Sequence, residues 1–332
     1  MNGTVLGLDI GGANLKAATA TGRAETLPFA LWKYPDRLPA ILAELVAKFP
    51  EATELAVTMT GELCDCYETK RQGVHAILDA VESVCEGRLV RIWGTDGAFH
   101  SIEQSRAAIL TVAASNWHAL ATFAGRFAPH HGGLLIDIGS TTSDLIPLDH
   151  GVPSTLGMTD FDRLRTRELV YIGVRRTPIM ALGIERLCAE YFATTHDVYT
   201  VLGLIPEEPE NRDTADNRPA TVEYALARLA RMLGGDRDTF TDDQIVEFAI
   251  RVHKTIVERL AKAATDVRFN GSNPPELKTI ITSGAGEFLV KSMRERLPEG
   301  ANVISLSEKL GPVISTCAPA YALAILGTER RP

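Results

Sequence analysis

The stretch LGLDIGGANLK at residues 6–16 decides the fold, together with a second copy of its pattern, LLIDIGSTTSDL, at residues 134–145. Each copy reads as an apolar strand that ends in an aspartate, followed by a turn of small residues and a second strand. The aspartate recurs as Asp9 and Asp137, although a hairpin turn alone does not require it. We therefore predict two related half-structures that face each other across a cleft.

Turns of this kind expose backbone N–H groups that can cradle phosphate oxygens. A carboxylate at the strand end can hold a hydrated divalent cation against those phosphates, so Asp9 and Asp137 are predicted metal ligands, with Mg²⁺ as the expected ion. The predicted phosphate-binding residues of the two turns are Gly11, Gly12, Ala13 and Asn14, and Gly139, Ser140, Thr141 and Thr142. The alternative interpretation is a pair of ordinary hairpins, whose glycines only allow the turn geometry.

A third glycine-rich turn follows a predicted strand at residues 278–282 and precedes a predicted helix that starts at Glu287. A strand, a glycine turn and a helix in this order form a typical phosphate- or nucleotide-binding element. We therefore add Gly284, Ala285 and Gly286 to the predicted phosphate-binding residues.

Bulk properties narrow the function class. The net charge of -8 argues against broad nucleic-acid binding, which needs a basic face. No apolar run approaches the length of a membrane span, and the chain enters a strand without a signal sequence. Five scattered cysteines argue against a disulfide framework. We expect a cytoplasmic protein with small-molecule partners, and its oligomeric state stays open.

The order of the predicted elements suggests two domains. The first α/β domain is expected at residues 1–128, and a helix at 316–327 is expected to pack back on it. The second is expected at 129–315, with a helical insertion at about 184–266. The Ala-rich residues 103–127 favour one long or broken helix.

Two helices of the insertion have recognisable starts. Helices are predicted at 219–233 and 242–266, with Asn217 and Thr241 as their N-caps. The polar, Pro-rich residues 206–219 that precede them are predicted to form a loop or flap.

The two hairpins, the SGAGE turn at 283–287 and the final Ala-rich helix stand in the order expected for the actin-like ATPase superfamily, which the chain resembles. Lys16 falls where the first phosphate hairpin of actin-type proteins carries a lysine. The segment IDIGSTTSDLIPL at 136–148 is similar to the hydantoinase A/5-oxoprolinase branch. The resemblance implies an α/β, actin-like (ribonuclease H-like) duplicated two-domain fold with a central cleft.

Four further segments resemble a smaller subfamily: TMTGELCDCYETKRQGV (58–74), YIGVRRTPI (171–179), DVYTVLG (197–203) and TAD (214–216). Its proteins are associated with tetrahydromethanopterin-linked one-carbon transfer, and its archaeal members include a methanofuran-pathway synthase. The resemblance implies a transferase that couples an aminomethylfuran diphosphate to the phenol of tyramine or γ-glutamyltyramine. The products are an aryl ether and pyrophosphate.

This chemistry assigns expected roles to charged residues. Asp9 and Asp137 would share Mg²⁺ on the diphosphate, and Lys16 would neutralise a terminal phosphate. The phenol, with a pKa near 10, needs a base or a very reactive cation, and Asp144, Glu62 and His196 are the candidate bases. The alternatives are a hairpin cap for Asp144, a solvated helix start for Glu62, and a satisfied helix-start histidine for His196.

Two adjacent arginines, Arg175 and Arg176, are candidates for binding the glutamyl carboxylates in a bidentate manner. A salt bridge at the surface or between the domains is an equally good interpretation of the pair.

Two other functions stay open at this point. One is an ATP-dependent small-molecule kinase or amidohydrolase that uses the same loops for ATP. The other is a non-catalytic, nucleotide-dependent regulator. In the transferase interpretation ATP or ADP can bind, but neither is required, because the leaving diphosphate already fills the phosphate cradle.

Overall fold

The computed structural model describes residues 3–267 and 276–330. Its strands, in chain order, are β1 (Thr4–Ile10), β2 (Asn14–Thr19), β3 (Ala24–Pro28), β4 (Ala52–Met59), β5 (Leu89–Trp93), β6 (Phe99–His100), β7 (Gly133–Ile138), β8 (Ser143–Asp149), β9 (Val152–Pro153), β10 (Leu169–Val170), β11 (Thr279–Ser283) and β12 (Asn302–Ser305).

The α-helices, in chain order, are α1 (Leu38–Ala47), α2 (Lys70–Val84), α3 (Ile102–Ala107), α4 (Ile109–Val112), α5 (Asn116–Ala124), α6 (Asp160–Thr166), α7 (Thr195–Val201), α8 (Val222–Met232), α9 (Asp242–Asp266), α10 (Glu287–Met293), α11 (Leu306–Leu310), α12 (Pro312–Thr316) and α13 (Ala318–Glu329). Short 3₁₀ helices lie at Pro35–Arg37, Gly125–Phe127, Ile179–Leu182 and Arg294–Arg296.

The two sheets repeat one topology. The first has the order β3-β2-β1-β4-β5-β6, in which β1 and β2 form an antiparallel hairpin and β4 and β5 run parallel to β1. The second has the order β10-β8-β7-β11-β12, in which β7 and β8 form the hairpin and β11 and β12 run parallel to β7. The apolar strands β1 and β7 therefore bring their aspartates and turns to equivalent places in the two sheets.

Helices α5 and α13 lie between the two sheets. Leu323 and Leu326 of α13 are buried with β1, β4 and β5 of the first sheet. Ala318 and Ala322 of the same helix are buried with β7, β8 and β11 of the second. Gly7 of β1 explains the close approach, because a Cβ added there would overlap a backbone carbonyl of α13. The outer faces are covered by α1 and α2 on one sheet and by α7 to α10 on the other.

The structure tests the predicted helix starts and the predicted helix at residues 103–127. The helix at Asp242–Asp266 begins after Thr241, whose hydroxyl accepts from the Gln244 amide, as predicted. The N-cap of α8 is Thr221, so the prediction of Asn217 was wrong: Asn217 has a φ of +57° and lies in the preceding turn. Residues 103–127 form a broken helix, because the backbone leaves helical geometry at Ala108 and again before α5.

The helical insertion is held together by a buried cation. Arg228 of α8 is fully buried and pairs with Asp197 of α7 at 2.7 Å and with Asp216 of the polar loop at 2.9 Å.

Among the described residues, no helix has the length and apolar character needed to cross a membrane. All five cysteines are free thiols.

Candidate active site

The two predicted phosphate turns have the same geometry. Asp9 pairs across its hairpin with Lys16, and Asp137 pairs across the other hairpin with Asp144. The Gly11 amide donates to the Asn14 carbonyl at 3.0 Å, and the Gly139 amide donates to the Thr142 carbonyl at 2.8 Å. The two hairpin turns therefore have the same number of residues, and Asp9 and Asp137 lie at equivalent positions before them.

The backbone amides at the tips of the turns have no partner within the described residues. They belong to Gly12 and Ala13 in the first turn and to Ser140, Thr141 and Thr142 in the second. Backbone carbonyls of both turns are fixed by hydrogen bonds: the Leu31 amide donates to the Gly12 oxygen at 2.9 Å, and the Val174 amide donates to the Gly139 oxygen at 3.0 Å. Successive free amides on a fixed backbone form an anion-binding concavity.

One charged side chain, Lys16, affects the aspartates of both turns. Burial raises the pKa of Asp9, and the nearby Lys16 ammonium partly opposes this effect. Burial, followed by the Asp144 charge, raises the pKa of Asp137 to about 7, and the same Lys16 again opposes it. Within the described part of the chain Lys16 forms no ion pair. One ammonium thus acts on both predicted metal ligands.

Asp9 also has an unsatisfied atom. Its side chain is only 6% exposed, and its Oδ1 has no hydrogen-bond partner. A buried carboxylate oxygen without a partner is costly, and a cation is the usual compensation. The donor set of Asp9 and Asp137 therefore fits a hard divalent cation such as Mg²⁺.

Asp144 is committed to a buried ion pair. Arg163 of α6 donates to its Oδ1 at 2.5 Å, and the guanidinium lies 4.1 Å from the ring centroid of Trp117. Burial raises the pKa of Asp144, and Arg163 opposes the rise. The carboxylate therefore lies beside Asp137 but has one oxygen already occupied.

The third glycine turn lies directly on the second phosphate turn. Gly284 has a φ of +87°, and a Cβ added there would overlap the Ile138 carbonyl and lie 2.7 Å from Asp137 Oδ1. The Gly286 amide donates to the Ile138 carbonyl at 2.9 Å, while Ala285 is exposed at the tip. Any side chain at Gly284 would therefore crowd the carboxylate of Asp137.

The two predicted arginines have different surroundings, although the amides of both donate to the Ser140 carbonyl. Arg175 is paired with Glu208 of the polar loop through two hydrogen bonds of 2.9 and 2.6 Å. Arg176 is exposed, lies 4.8 Å from the ring centroid of Trp32 in the first half, and forms no ion pair within the described residues. The salt-bridge interpretation therefore describes Arg175. Within the described residues, the guanidinium of Arg176 has no carboxylate partner.

His196 is buried behind Arg175. Its Nε2 lies 3.3 Å from Nη1 of Arg175 and 4.0 Å from Glu208. Burial, followed by the Arg175 charge, lowers the pKa of this imidazole to about 4. A neutral ring whose Nε2 faces a guanidinium has no free acceptor for a substrate proton.

Glu62 lies on the opposite half, next to the first turn. Its side chain is 1% exposed, and its Oε1 lies 3.7 Å from Nζ of Lys70. Burial raises its pKa to about 7, against the opposing effect of Lys70. The solvated helix start considered from the sequence was therefore wrong, because Glu62 is buried and packs against α2 at Lys70 and Gly73.

A separate group of possible metal ligands lies at the other end of the second hairpin. His131, Asp149 and His150 bring one ligand atom each within 4.8 Å of one another. The group stands where β7 begins and β8 ends, so it is away from the two phosphate turns. It has to be removed as a competing site in any metal-binding measurement.

Sequence reasoning missed Arg163, Glu208 and Lys70. None belongs to a recognisable motif, and each acts on a predicted residue from another element. Such partners become visible only when the packing of the elements is known.

Comparisons with known proteins identify the family and the fold of the chain. A profile of the hydantoinase/oxoprolinase family matches residues 54–330. The chain belongs to the hydantoinase/oxoprolinase family. The predicted actin-like fold is confirmed, since the chain is similar to a protein of the PilM-PilN type IV pilus biogenesis complex, with a TM-score of 0.51, 13% identity and 99% coverage of both chains.

Two relatives have a named activity. A protein of Methanocaldococcus jannaschii is 34% identical over 97% of this chain and 97% of its own length, and is named (4-{4-[2-(gamma-L-glutamylamino)ethyl]phenoxymethyl}furan-2-yl)methanamine synthase. A protein of Methanococcus vannielii with the same name is 32% identical over 58% of this chain and 89% of its own length.

Proposed function

We propose that the chain is a transferase of methanofuran-type cofactor biosynthesis. It joins an aminomethylfuran diphosphate to the phenol of tyramine or γ-glutamyltyramine, and it releases pyrophosphate. The pair of turns carries this proposal, because each turn has unpartnered amides and a buried aspartate, and Lys16 acts on both aspartates. The names of the two relatives support a furan and a glutamylated phenol as the groups that are joined.

The residues of the turns act on the leaving group. The furan stabilises positive charge on its methylene carbon, so the carbon–oxygen bond to the diphosphate breaks early. Negative charge then grows on the departing pyrophosphate. Donors fixed in advance around that charge stabilise the transition state by about 3 kcal/mol each. In this proposal Lys16 and the unpartnered amides of Gly12 and Thr141 are the donors.

Asp9 and Asp137 would hold a divalent cation on the same diphosphate. When bound, Mg²⁺ supplies charge that neutralises the leaving oxygens. The unpartnered Oδ1 of Asp9 and the raised pKa of Asp137 support this assignment, since both carboxylates lack sufficient compensation from the protein. The Lys16 ammonium opposes the rise in the pKa of both carboxylates, which favours the ionised form that a cation would bind.

We propose that turnover needs no ATP, because the leaving diphosphate occupies the cradle that a nucleotide would use. ATP and ADP then act as competitors of the furan substrate. The turn of Gly284, Ala285 and Gly286 walls the second phosphate site and would contact either the furan or an adenosine.

The test is a search for the ether product by mass spectrometry. The protein is incubated with an aminomethylfuran diphosphate and with tyramine or γ-glutamyltyramine, with and without ATP and with and without EDTA. The variant His150→Ala serves in the metal arms, because it removes the remote His131–Asp149–His150 group. Ether and pyrophosphate formed in equal amounts without ATP are the expected result.

Two outcomes would overturn the proposal. Absence of ether with both acceptors would reject the reaction itself. An absolute requirement for ATP, with ADP released in proportion to product, would move the chain to an ATP-dependent kinase or amidohydrolase. The second outcome would leave the phosphate turns in place and change only what they bind.

A further inference from the structure

Glu62 has an acceptor atom that the protein does not use. Its side chain is 1% exposed, yet Oε2 has no hydrogen-bond partner within the described residues. Only Oε1 has a counter-charge, the ammonium of Lys70 at 3.7 Å. Leaving a buried carboxylate oxygen unpaired costs roughly 1–3 kcal/mol or more. A purely structural glutamate would be satisfied, so the free atom points to a ligand.

The position of Glu62 connects it to the reaction site. The preceding residue, Gly61, lies against the first phosphate turn, since a Cβ added there would be 3.3 Å from Gly12 N. Charges from the second half of the molecule also reach Glu62, because Asp160 of α6 contributes to its raised pKa. Glu62 therefore lies where the first turn meets the second half.

Two aromatic side chains of the second half are exposed. Tyr171 is 57% exposed, and Phe161, which follows Asp160, is 68% exposed. Burial raises the pKa of the Tyr171 phenol, and the charges of Asp160 and Glu62 raise it further. Exposed aromatic side chains on the half of the molecule that carries Asp160 suit an aromatic ligand.

The other two candidate bases are already engaged. Asp144 accepts from the buried guanidinium of Arg163 at 2.5 Å. The Nε2 atom of His196 faces Arg175 at 3.3 Å. Among the three candidates, Glu62 alone combines near-complete burial with a carboxylate oxygen that no protein donor occupies.

We propose that Glu62 is the general base for the acceptor phenol. This inference rests on the proposed transferase function. The Oε2 atom takes the phenol proton while the phenol oxygen forms its bond to the furan methylene carbon. The carbon–oxygen bond to the diphosphate breaks, and its electron pair leaves with pyrophosphate. The proton stays on Glu62 as a carboxylic acid until the products leave the site, and it is then lost to water.

The environment of Glu62 suits this role. A carboxylate of ordinary basicity is far weaker than a phenolate, whose conjugate acid has a pKa of about 10. Burial raises the pKa of Glu62 to about 7, which makes it a stronger base while leaving it ionised above neutral pH. A base tuned towards the operating pH contributes about 10²–10⁴-fold to the rate.

The groups that face Glu62 come from several elements. Lys70 of α2 lowers its pKa, and Asp160 of α6 raises it. The nearby Cys64 thiol has a pKa raised by burial to about 11, so it is neutral at the pH of the assay. Because Lys70 favours the ionised form, Lys70→Met should move the pH profile of the wild-type reaction to higher pH.

The experiment compares wild type with Glu62→Gln in ether formation, using tyramine and a ring-fluorinated tyramine that is ionised at the assay pH. With tyramine, kcat/KM of the wild type should rise with pH with a midpoint near 7, and Glu62→Gln should lose about 100-fold or more and lack this midpoint. With the ionised acceptor, Glu62→Gln should return to within about tenfold of wild type, since no proton has to be removed.

Asp65→Asn is the matched control, because this exposed carboxylate lies three residues away and should change neither acceptor's rate. Far-ultraviolet circular dichroism establishes that each variant is folded. An equal loss with both acceptors would overturn the role as base, and so would a loss below tenfold with tyramine. If the wild type forms no ether with either acceptor, the proposed function fails first and this inference fails with it.

Discussion

Replacing Glu62 by glutamine should make the free protein more stable at neutral pH. The pKa of Glu62 is raised by burial from 4.5 to about 7, which corresponds to about 3 kcal/mol at about 1.4 kcal/mol per pH unit. Below pH 4.5 the acid is protonated in both the folded and the unfolded chain, so it costs nothing. Between pH 4.5 and 7 only the unfolded chain ionises, so the stability of the wild type falls as pH rises.

Urea unfolding of wild type and Glu62→Gln, at intervals from pH 4 to pH 8, measures this effect. The variant should match the wild type near pH 4 and exceed it by up to about 3 kcal/mol at pH 8, since glutamine has nearly the same shape and does not ionise. Other titrating groups are present in both proteins and cancel in the difference.

Glu208→Gln provides a control of opposite sign. The hydrogen bonds from Arg175 lower the pKa of Glu208 to about 2, so its stabilising contribution is complete above pH 4.5 and is lost as pH falls towards 2. This variant should be less stable than the wild type throughout the range from pH 5 to pH 8. A difference for Glu62→Gln that stays constant from pH 4 to pH 8 would refute the buried-acid reasoning.

Four further variants test the site and the fold. Asp9→Asn and Asp137→Asn should each reduce kcat by about 100-fold or more without loss of structure, because each removes a proposed cation ligand; full activity in EDTA would remove the metal from the mechanism. Asp144→Asn should cost about 3–5 kcal/mol in urea unfolding, since the buried Arg163 would lose its partner at 2.5 Å and keep only Asp160 at 3.9 Å; a loss below 1 kcal/mol would contradict this. Gly7→Ala should lower stability by about 1–3 kcal/mol through overlap with the backbone of α13, and an unchanged melting temperature would argue against that packing.

The sequence was informative where local chemistry and local structure coincide. A hairpin is a short-range unit, so the two copies of the strand–Asp–turn pattern predict both hairpins and the equivalence of Asp9 and Asp137. Helix α9 was similarly predictable, because Thr241 and Gln244 form a capping box at its start. Once two such hairpins are recognised, the parallel strands beside β1 and β7 follow from the repeated topology.

The long-range partners could not be predicted in the same way. Arg163 reaches Asp144 from α6, and Glu208 reaches Arg175 from the polar loop. An arginine or a glutamate in an irregular segment has no periodicity that identifies its partner. The sequence therefore identified Arg175 as a charged loop residue but left two interpretations open, and only the fold shows that a carboxylate of the protein already occupies it.

The two turns share a backbone but differ in charge at one decisive position. Lys16 and Asp144 occupy equivalent places opposite the two aspartates. Had both been acidic, four carboxylates would face one another, and repulsion would raise their pKa values until some became protonated. Lys16 instead lowers the pKa of Asp9 and of Asp137, while Arg163 offsets Asp144 from behind. The two aspartates thereby share one ammonium that forms no ion pair within the described residues, and in the proposed reaction it would offset the charge of the departing pyrophosphate.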